Sequence, residues 1–94
     1  MRAIERSSAF KKDFKRVKNT PYHRKDLDAL LVDILTLLVS DRPLPDSNRD
    51  HPLSGQWGGY RDCHLKPDLV LIYSKPDAHT LRLARLGSHS ELFG

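Results

Sequence analysis

Histidine, aspartate and arginine side chains are concentrated in the second half of the chain, where they could form one reactive site. The stretch DHPLSGQWGGYRDCHLKPD contains His51, His64 and Asp68, and Arg85 and His89 follow near the end. RNA cleavage by its own 2′-hydroxyl needs a base, an acid and a cation for the phosphate charge. Histidine titrates at about pH 6.5 and can take either proton-transfer role, while arginine is a permanent planar donor. These residue types therefore suit phosphodiester chemistry.

Three more side chains are candidates for contacting a substrate. Trp57 and Phe93 are aromatic and could stack on an unpaired base, and Arg61 could contact phosphate. Three of the candidates named so far, Trp57, Phe93 and Arg85, also have an ordinary structural interpretation. Trp57 could pack under the proline-rich loop, Phe93 could clasp the sheet, and Arg85 could be the partner in a salt bridge on a strand.

A metal site is the less favoured interpretation of the same region. The four metal-ligating candidates are His51, His64, Asp68 and His89, and no two of these histidines have the close spacing H-x-x-x-H.

The elements that must position these residues are predicted from the spacing of apolar side chains. RAIER predicts a short strand, and SSAFKKDFKRVKN places Phe10, Phe14 and Val17 at helical spacing. From Arg24 to Val39, apolar residues share one helical face: Leu27, Leu30, Leu31, Ile34, Leu35 and Leu38. The following SDRPLPDSNRDHPLSG is rich in proline and turn formers and predicts a loop.

The second half changes to the spacing of strands. YRDCHL and TLRLARL alternate, LVLIY is continuously apolar like a strand buried on both faces, and KPD and SKPDAH supply turns. Ser88 can cap a final helical turn. The predicted fold class is α+β, with two N-terminal helices packed on a small, mostly antiparallel four-stranded sheet.

Strand alternation also assigns the candidates to faces of that sheet. In YRDCHL, His64 shares a face with Asp62, and Arg61 lies on the other. In TLRLARL, Arg85 is predicted on the same face as Leu81 and Leu83. The residues expected to meet at one end or face of the sheet are His64, Asp68, Arg85 and His89, with His51 folding down from the loop.

The length of the chain and its single cysteine limit the number of domains and the possible disulfides. Ninety-four residues predict one domain, residues 1–94, and the single cysteine, Cys63, excludes an intrachain disulfide. Neither a signal peptide nor a membrane span is expected, so the predicted location is the cytoplasm.

Positive charge is concentrated at the start of the chain. The formal net charge is +4, and the first 25 residues hold nine Lys and Arg against two acidic residues. A basic face suits a polyanion, and a solvated helix surface explains it equally well.

The passage DHPLSGQWGGYRDCHLKPDLVLIY, followed by RLGSHSELFG, resembles the YafQ branch of the RelE superfamily. These are mRNA-cleaving toxins of bacterial toxin–antitoxin pairs. The likeness runs from the basic first helix to the final LFG, and the combined motif is highly specific. It implies a RelE-like β-α-α-β-β-β order. The chain departs from the family pattern at Leu69, where an aromatic residue can follow the aspartate, and by one extra residue within SKPDAH.

The resemblance also implies roles for six residues that match the family's active-site positions: His51, His64, Asp68, Arg85, His89 and Phe93. His89 is the expected general acid, and Asp68 or His51 the expected base. His64 and Arg85 are expected to bind and stabilise the scissile phosphate.

The implied activity is metal-independent cleavage of mRNA in the ribosomal A site, without a cofactor. The implied partners are the 70S ribosome, mRNA and a cognate antitoxin, with no membrane, and with operator DNA bound only as the toxin–antitoxin complex. Two alternatives remain: a ParE-type toxin of the same fold that binds DNA gyrase, and a non-catalytic RNA-binding module. Gyrase poisons do not need the histidine set, which therefore favours the nuclease.

Overall fold

The computed structural model describes all of residues 1–94 as four helices and five strands. In chain order the elements are β1 (Ala3–Arg6), α1 (Ser8–Lys18), α2 (Pro21–Arg24), α3 (Leu27–Val39), β2 (His51–Pro52), β3 (Arg61–Lys66), β4 (Leu69–Asp77), β5 (Thr80–Gly87) and α4 (His89–Phe93). Two single 3₁₀ turns, Asp46–Asn48 and Gly55–Trp57, lie on either side of β2.

The sheet has five strands in the order β1-β5-β4-β3-β2, so the prediction of four strands is wrong by one. The additional strand is β2, two residues of the proline-rich segment that was expected to be loop. Proline is tolerated there because β2 is an edge strand with one side unpaired. β1 pairs with β5 in parallel and every other pair is antiparallel, which confirms the mostly antiparallel sheet.

Three helices precede β2, not the predicted two. Thr20 and Pro21 do end α1, but Pro21 also begins the one-turn α2, because its fixed φ suits the first helical position. The long helix therefore begins at Leu27 instead of Arg24. α1 begins where predicted, with the Ser7 hydroxyl accepting a hydrogen bond from the amide of Phe10 at 2.9 Å.

One face of the sheet is covered by α1 and α3. The helices bury the apolar stripes that their sequences predict, and the strands contribute every second side chain, so that 14 buried residues form one cluster. They are Phe10, Val17, Leu27, Leu31, Ile34 and Leu38 from the helices and Cys63, Leu65, Leu69, Leu71, Tyr73, Leu81, Leu83 and Leu86 from the strands. We call this side the helix face.

The opposite side, the open face, has a much smaller core. Val70, Ile72, Ala84 and Leu92 are its only four buried members, and Leu92 comes from α4, which folds back over the strands. β4 is thus buried on both faces, as its continuous apolar run predicts. None of the four helices is long and apolar enough to cross a membrane.

Candidate active site

Polar candidates form a row across the open face. The strand registers place His51 opposite Asp62, Asp62 opposite Ile72, and Ile72 opposite Arg85. Directly opposed residues on antiparallel strands project from the same face. His51, Asp62 and Arg85 therefore share that face, and His64 lies in the next row, opposite Val70.

The position of Arg85 corrects the prediction that it shares a face with Leu81 and Leu83. The residues of β4 opposite Leu83 and Arg85 are consecutive, so Ala84 has no partner and forms a bulge. The extra residue reverses the alternation of β5 from that point. Leu81 and Leu83 point to the helix face, whereas Arg85 lies on the open face with the histidines.

Asp62 lies beneath the histidines and is completely buried. Neither of its carboxylate oxygens accepts a hydrogen bond from the chain, although His51 Nδ1 is 3.1 Å from Oδ1. Burial raises the pKa of the Asp62 carboxyl above its usual value, and the nearby charges of His51, His64 and His89 oppose that rise. One buried carboxylate is therefore shared electrostatically by three histidines.

Two of these histidines are held by backbone carbonyls. Nδ1 of His51 is 2.8 Å from the carbonyl oxygen of Arg49, and Nδ1 of His64 is 3.4 Å from that of Pro67. A carbonyl oxygen can only accept, so these contacts favour the tautomer with the proton on Nδ1, and the short contact of His51 favours it more strongly than the long contact of His64. In the neutral imidazole, Nε2 then carries the lone pair and can accept a proton.

His89 and Phe93 lie on α4, which begins with a complete capping box between Ser88 and Glu91, so the predicted Ser88 cap is confirmed. The imidazole of His89 stands against the ring of Phe93, with ring centroids 4.7 Å apart. Both side chains line an open cleft of about 660 Å³ together with Asp68. The structure thus brings His89 and Phe93, from the final stretch of the chain, together with Asp68 from the turn before β4.

A second cleft, of about 360 Å³, adjoins the first. It is lined by His64 and by basic and polar side chains that include Arg49 and Lys66, and Pro67 borders both clefts. A strand of nucleic acid crossing Pro67 would meet His64 on one side and His89 on the other.

Trp57 and Arg61 are not brought to these clefts. The indole of Trp57 packs edge-on against Tyr60, 5.2 Å between centroids, and against the open-face core, with its Nε1 buried. Arg61 lies opposite Tyr73, a helix-face residue, and its Nε donates to Asp50 at 3.2 Å. The alternation of YRDCHL predicted this separation of Arg61 from His64 correctly.

Arg85 is the salt-bridge partner that its ordinary interpretation describes, with Asp13 of α1 as the acid and 2.6 Å between Nε and Oδ2. Sequence reasoning missed both buried aspartates. For Asp13 a signal existed, because it lies three residues after Phe10 and four before Val17, on the apolar stripe of α1. For Asp62 the signal was its alternation with His64.

No group of three or more His, Cys, Asp and Glu side chains is arranged to hold a metal ion. Leu69, the departure from the family pattern, is buried on the helix face and does not line either cleft. The two clefts are lined by His64, Asp68, His89 and Phe93, and His51 and Arg85 lie on the same open face without lining either cleft. That set is suited to acid–base cleavage of a phosphodiester.

Comparison with known proteins gives the same assignment over the whole chain. Residues 2–94 match the family described as bacterial toxin of type II toxin–antitoxin system, YafQ. The mRNA interferase toxin YafQ of Escherichia coli K12 is 45% identical over 94 residues, covering 99% of this chain and 97% of that protein.

Solved structures agree. The E. coli DinJ–YafQ toxin–antitoxin complex contains a chain that is 42% identical with a TM-score of 0.82, covering 99% of this chain and 98% of that one. A metal-bound toxin from Helicobacter pylori is 48% identical with a TM-score of 0.83, covering 99% and 100%. Motif, fold and full-length similarity therefore coincide, and the chain belongs to the YafQ family of type II toxin–antitoxin toxins.

Proposed function

We propose that this protein is an mRNA interferase that halts translation by cutting mRNA in the A site of the ribosome. The observation that carries the proposal is the buried Asp62 carboxylate surrounded by His51, His64 and His89 on an open, cleft-lined face. A binding module has no need of a buried carboxylate without hydrogen bonds beneath three titratable rings. The name of the E. coli relative, mRNA interferase toxin YafQ, supports the same activity.

In the proposed reaction the 2′-hydroxyl of one nucleotide attacks the adjacent phosphorus. His51 takes the hydroxyl proton at Nε2, since its Nδ1 faces the carbonyl oxygen of Arg49, and Asp68 is the alternative base. His89 gives a proton to the departing 5′-oxygen. The products are a 2′,3′-cyclic phosphate and a free 5′-hydroxyl.

The remaining side chains of the site act on the phosphate and the bases. Arg85 and His64 stabilise the charge that develops on the phosphate oxygens. Phe93, half-buried beside His89, supplies a stacking surface for a base.

The proposed partners follow from this activity. The basic N-terminal helices suit ribosomal RNA, and a cognate antitoxin binds and silences the toxin, as the DinJ–YafQ complex suggests by family membership. Translating ribosomes place the site of action in the cytoplasm. Operator DNA is bound only by the toxin–antitoxin complex.

The test is single-turnover cleavage of a defined mRNA on programmed ribosomes in a purified system. Wild type should cut within the A-site codon, and His89→Ala should lose about 10²- to 10⁴-fold in rate while still binding ribosomes. His79→Ala is the matched control, because His79 is exposed in the β4–β5 turn. Normal cleavage by His89→Ala would reassign the acid to another histidine.

The alternatives give different results in the same assay. A gyrase poison leaves the transcript intact and stalls DNA gyrase, and a non-catalytic module binds RNA without cutting it. Metal independence is tested by chelating transition metals while Mg²⁺ is retained for the ribosome. We expect the rate to be unchanged, and a loss restored by zinc, copper or manganese would contradict the mechanism.

A further inference from the structure

The guanidinium of Arg85 on β5 is bonded to the buried carboxylate of Asp13 on α1. Asp13 of α1 is 3% exposed. Its Oδ2 accepts from Arg85 Nε at 2.6 Å and from the amide of Leu86 at 3.0 Å. Its Oδ1 accepts from Arg85 Nη2 at 3.2 Å and from Arg16 Nη1 at 2.8 Å. The carboxylate thus grips one edge of the guanidinium with both oxygens.

The bulge at Ala84 makes this grip relevant to the site. It puts Arg85 on the open face, in the row of His51 and Asp62, while the bond from Leu86 to Asp13 fixes the backbone just after the bulge. With Nε and Nη2 bonded to Asp13, Nη1 has no partner in the chain. The guanidinium plane is therefore fixed, and one donor edge stays available to a phosphate oxygen.

The same network extends to α4. Arg16 donates to the carbonyl of Leu86 at 3.1 Å, and its Nε lies 3.2 Å from Glu91 Oε2. Glu91 Oε1 in turn accepts from the amide of Ser88 at 2.8 Å, which closes the capping box at the start of the helix that carries His89. Asp13 therefore connects, through two ion pairs, with the element that positions the proposed acid.

Gly87 shows how closely these groups meet. A Cβ at that position would lie 2.9 Å from Arg16 Nη2 and 3.0 Å from Glu91 Oε1, closer than side-chain carbons pack. A side chain at position 87 would therefore displace the flexible ends of Arg16 and Glu91, which pair with each other between α1 and α4.

We propose that Asp13 is a positioning residue for cleavage, which aligns the Arg85 guanidinium with the scissile phosphate and, through Arg16 and Glu91, fixes the start of α4. The inference rests on the proposed function of Arg85 and His89. Arginine has many rotamers, and an arginine aligned before the phosphate arrives loses less freedom when it binds. Because misplacement by about 1 Å can cost 10²-fold, the alignment should appear in the rate of chemistry.

The experiment measures cleavage on programmed ribosomes for wild type, Asp13→Asn, Arg85→Lys and the double variant. Arg85→Lys keeps the charge but loses the planar fork. Asp13→Asn should lower kcat by about 10- to 100-fold with KM changed less than about 2-fold. The double variant should lose little more than Arg85→Lys alone, because both changes remove the same alignment.

The control is Asp28→Asn, which removes an exposed aspartate paired with Lys18 and should cleave like wild type. If the losses of the two single variants multiply in the double variant, or if Asp13→Asn changes only KM, the positioning role is wrong. Should Asp13→Asn fail to fold, Arg16→Ala replaces it. That variant keeps the Asp13–Arg85 pair, breaks the link to Glu91, and should lower kcat by about 10-fold; unchanged kcat would contradict the link to α4.

A second measurement does not depend on cleavage. In the NMR spectrum of the free protein, the Arg85 Nε–H should be protected from solvent exchange in wild type and Asp28→Asn, and exposed in folded Asp13→Asn. An unprotected signal in wild type overturns the positioning role even if mRNA is cut. A protected signal in a wild type that cuts nothing overturns the proposed function, and with it the catalytic consequence, but leaves the anchoring intact.

Discussion

Two aspartates, Asp13 and Asp62, are buried in this small protein and have opposite surroundings. Asp13 accepts four hydrogen bonds, three of them from arginines. Burial alone would raise the pKa of its carboxyl, but the bonds from Arg85, Leu86 and Arg16 outweigh burial and hold the pKa below its usual value. Asp62 accepts none, and burial raises its pKa.

The difference separates anchoring from chemistry. A buried carboxylate that is fully hydrogen-bonded stabilises the elements it joins, here α1 and β5. A buried carboxylate without partners is costly, and such groups persist where they are used. We therefore expect the destabilising burial of the Asp62 carboxylate to be retained because its charge stabilises the protonated forms of His51 and the neighbouring histidines.

Of the changes at the two buried aspartates, Asp62→Asn is expected to have the largest effect, a loss of activity. Removing the charge beneath the histidines should destabilise the imidazolium formed when His51 takes a proton, and slow cleavage by about 10²- to 10³-fold. Single-turnover cleavage on programmed ribosomes measures it, with Asp33→Asn on the exposed side of α3 as the control. Cleavage by Asp62→Asn at the wild-type rate would show that the Asp62 charge has no role in catalysis, and the functional contrast with Asp13 would be wrong.

The next effect is on stability, and it should be confined to the other aspartate. Asp13→Asn should lower the free energy of unfolding by about 2–3 kcal/mol, less than the ~3–5 kcal/mol of a fully buried pair because Arg16 and Arg85 regain some water. Asp62→Asn should leave that free energy unchanged or higher. Urea unfolding measures the free energy of unfolding of both variants. Equal decreases in the two variants would mean that both carboxylates are structural.

Phe93 and Leu92 sharpen the comparison on α4. Leu92 is buried in the open-face core, whereas Phe93 is half-buried, packs against the edge of that core and also lines the cleft. Phe93→Ala should reduce cleavage about 5- to 150-fold, the loss of ~1–3 kcal/mol of stacking. Leu92→Ala should instead cost about 2–5 kcal/mol of stability. A sharply lower melting temperature for Phe93→Ala, with activity restored on cooling, would contradict stacking.

The smallest effect is a pair of opposite pH dependences. The lowered pKa of Asp13 gives stability that is complete above its ordinary value of 3.8 and is lost as pH falls through the lowered pKa. The raised pKa of Asp62 acts the other way: stability falls as pH rises from 3.8 through the raised pKa. For each asparagine variant, the unfolding free energy is subtracted from that of wild type and plotted against pH. The difference for Asp13→Asn should rise with pH up to 3.8, and the difference for Asp62→Asn should fall with pH above 3.8. Parallel slopes would show that the two sites are alike.

Much of this arrangement could be predicted from local pattern. The period of two in YRDCHL placed His64 and Asp62 together and Arg61 away from them, and the run LVLIY predicted a strand buried on both faces. The Ser88 cap could be predicted from the sequence because its partners lie within one helical turn. Such features depend on neighbours in the chain, which the sequence displays directly.

Features that depend on distant partners could not be predicted. The bulge at Ala84, which turns Arg85 to the open face, adds one residue without altering the alternation of letters. The two residues of β2 become a strand only because β3 offers its edge. The position of Asp13 on the apolar stripe of α1 indicates that it is buried, but its partner Arg85 is 72 residues away and nothing in the sequence indicates the pairing.

The parallel pairing of β1 with β5 bears on how the chain folds. The Ser7 hydroxyl, just after β1, donates to the carbonyl of Ala84, 77 residues later. Closing so long a loop is entropically slow compared with forming local hairpins, so we expect this edge of the sheet to close after the antiparallel strands have formed. The Asp13–Arg85 pair spans nearly the same interval, and we expect it to form at the same stage. We therefore expect a chain interrupted anywhere before β5 to be harmless, because translation must pass that strand before the toxin can act on a ribosome.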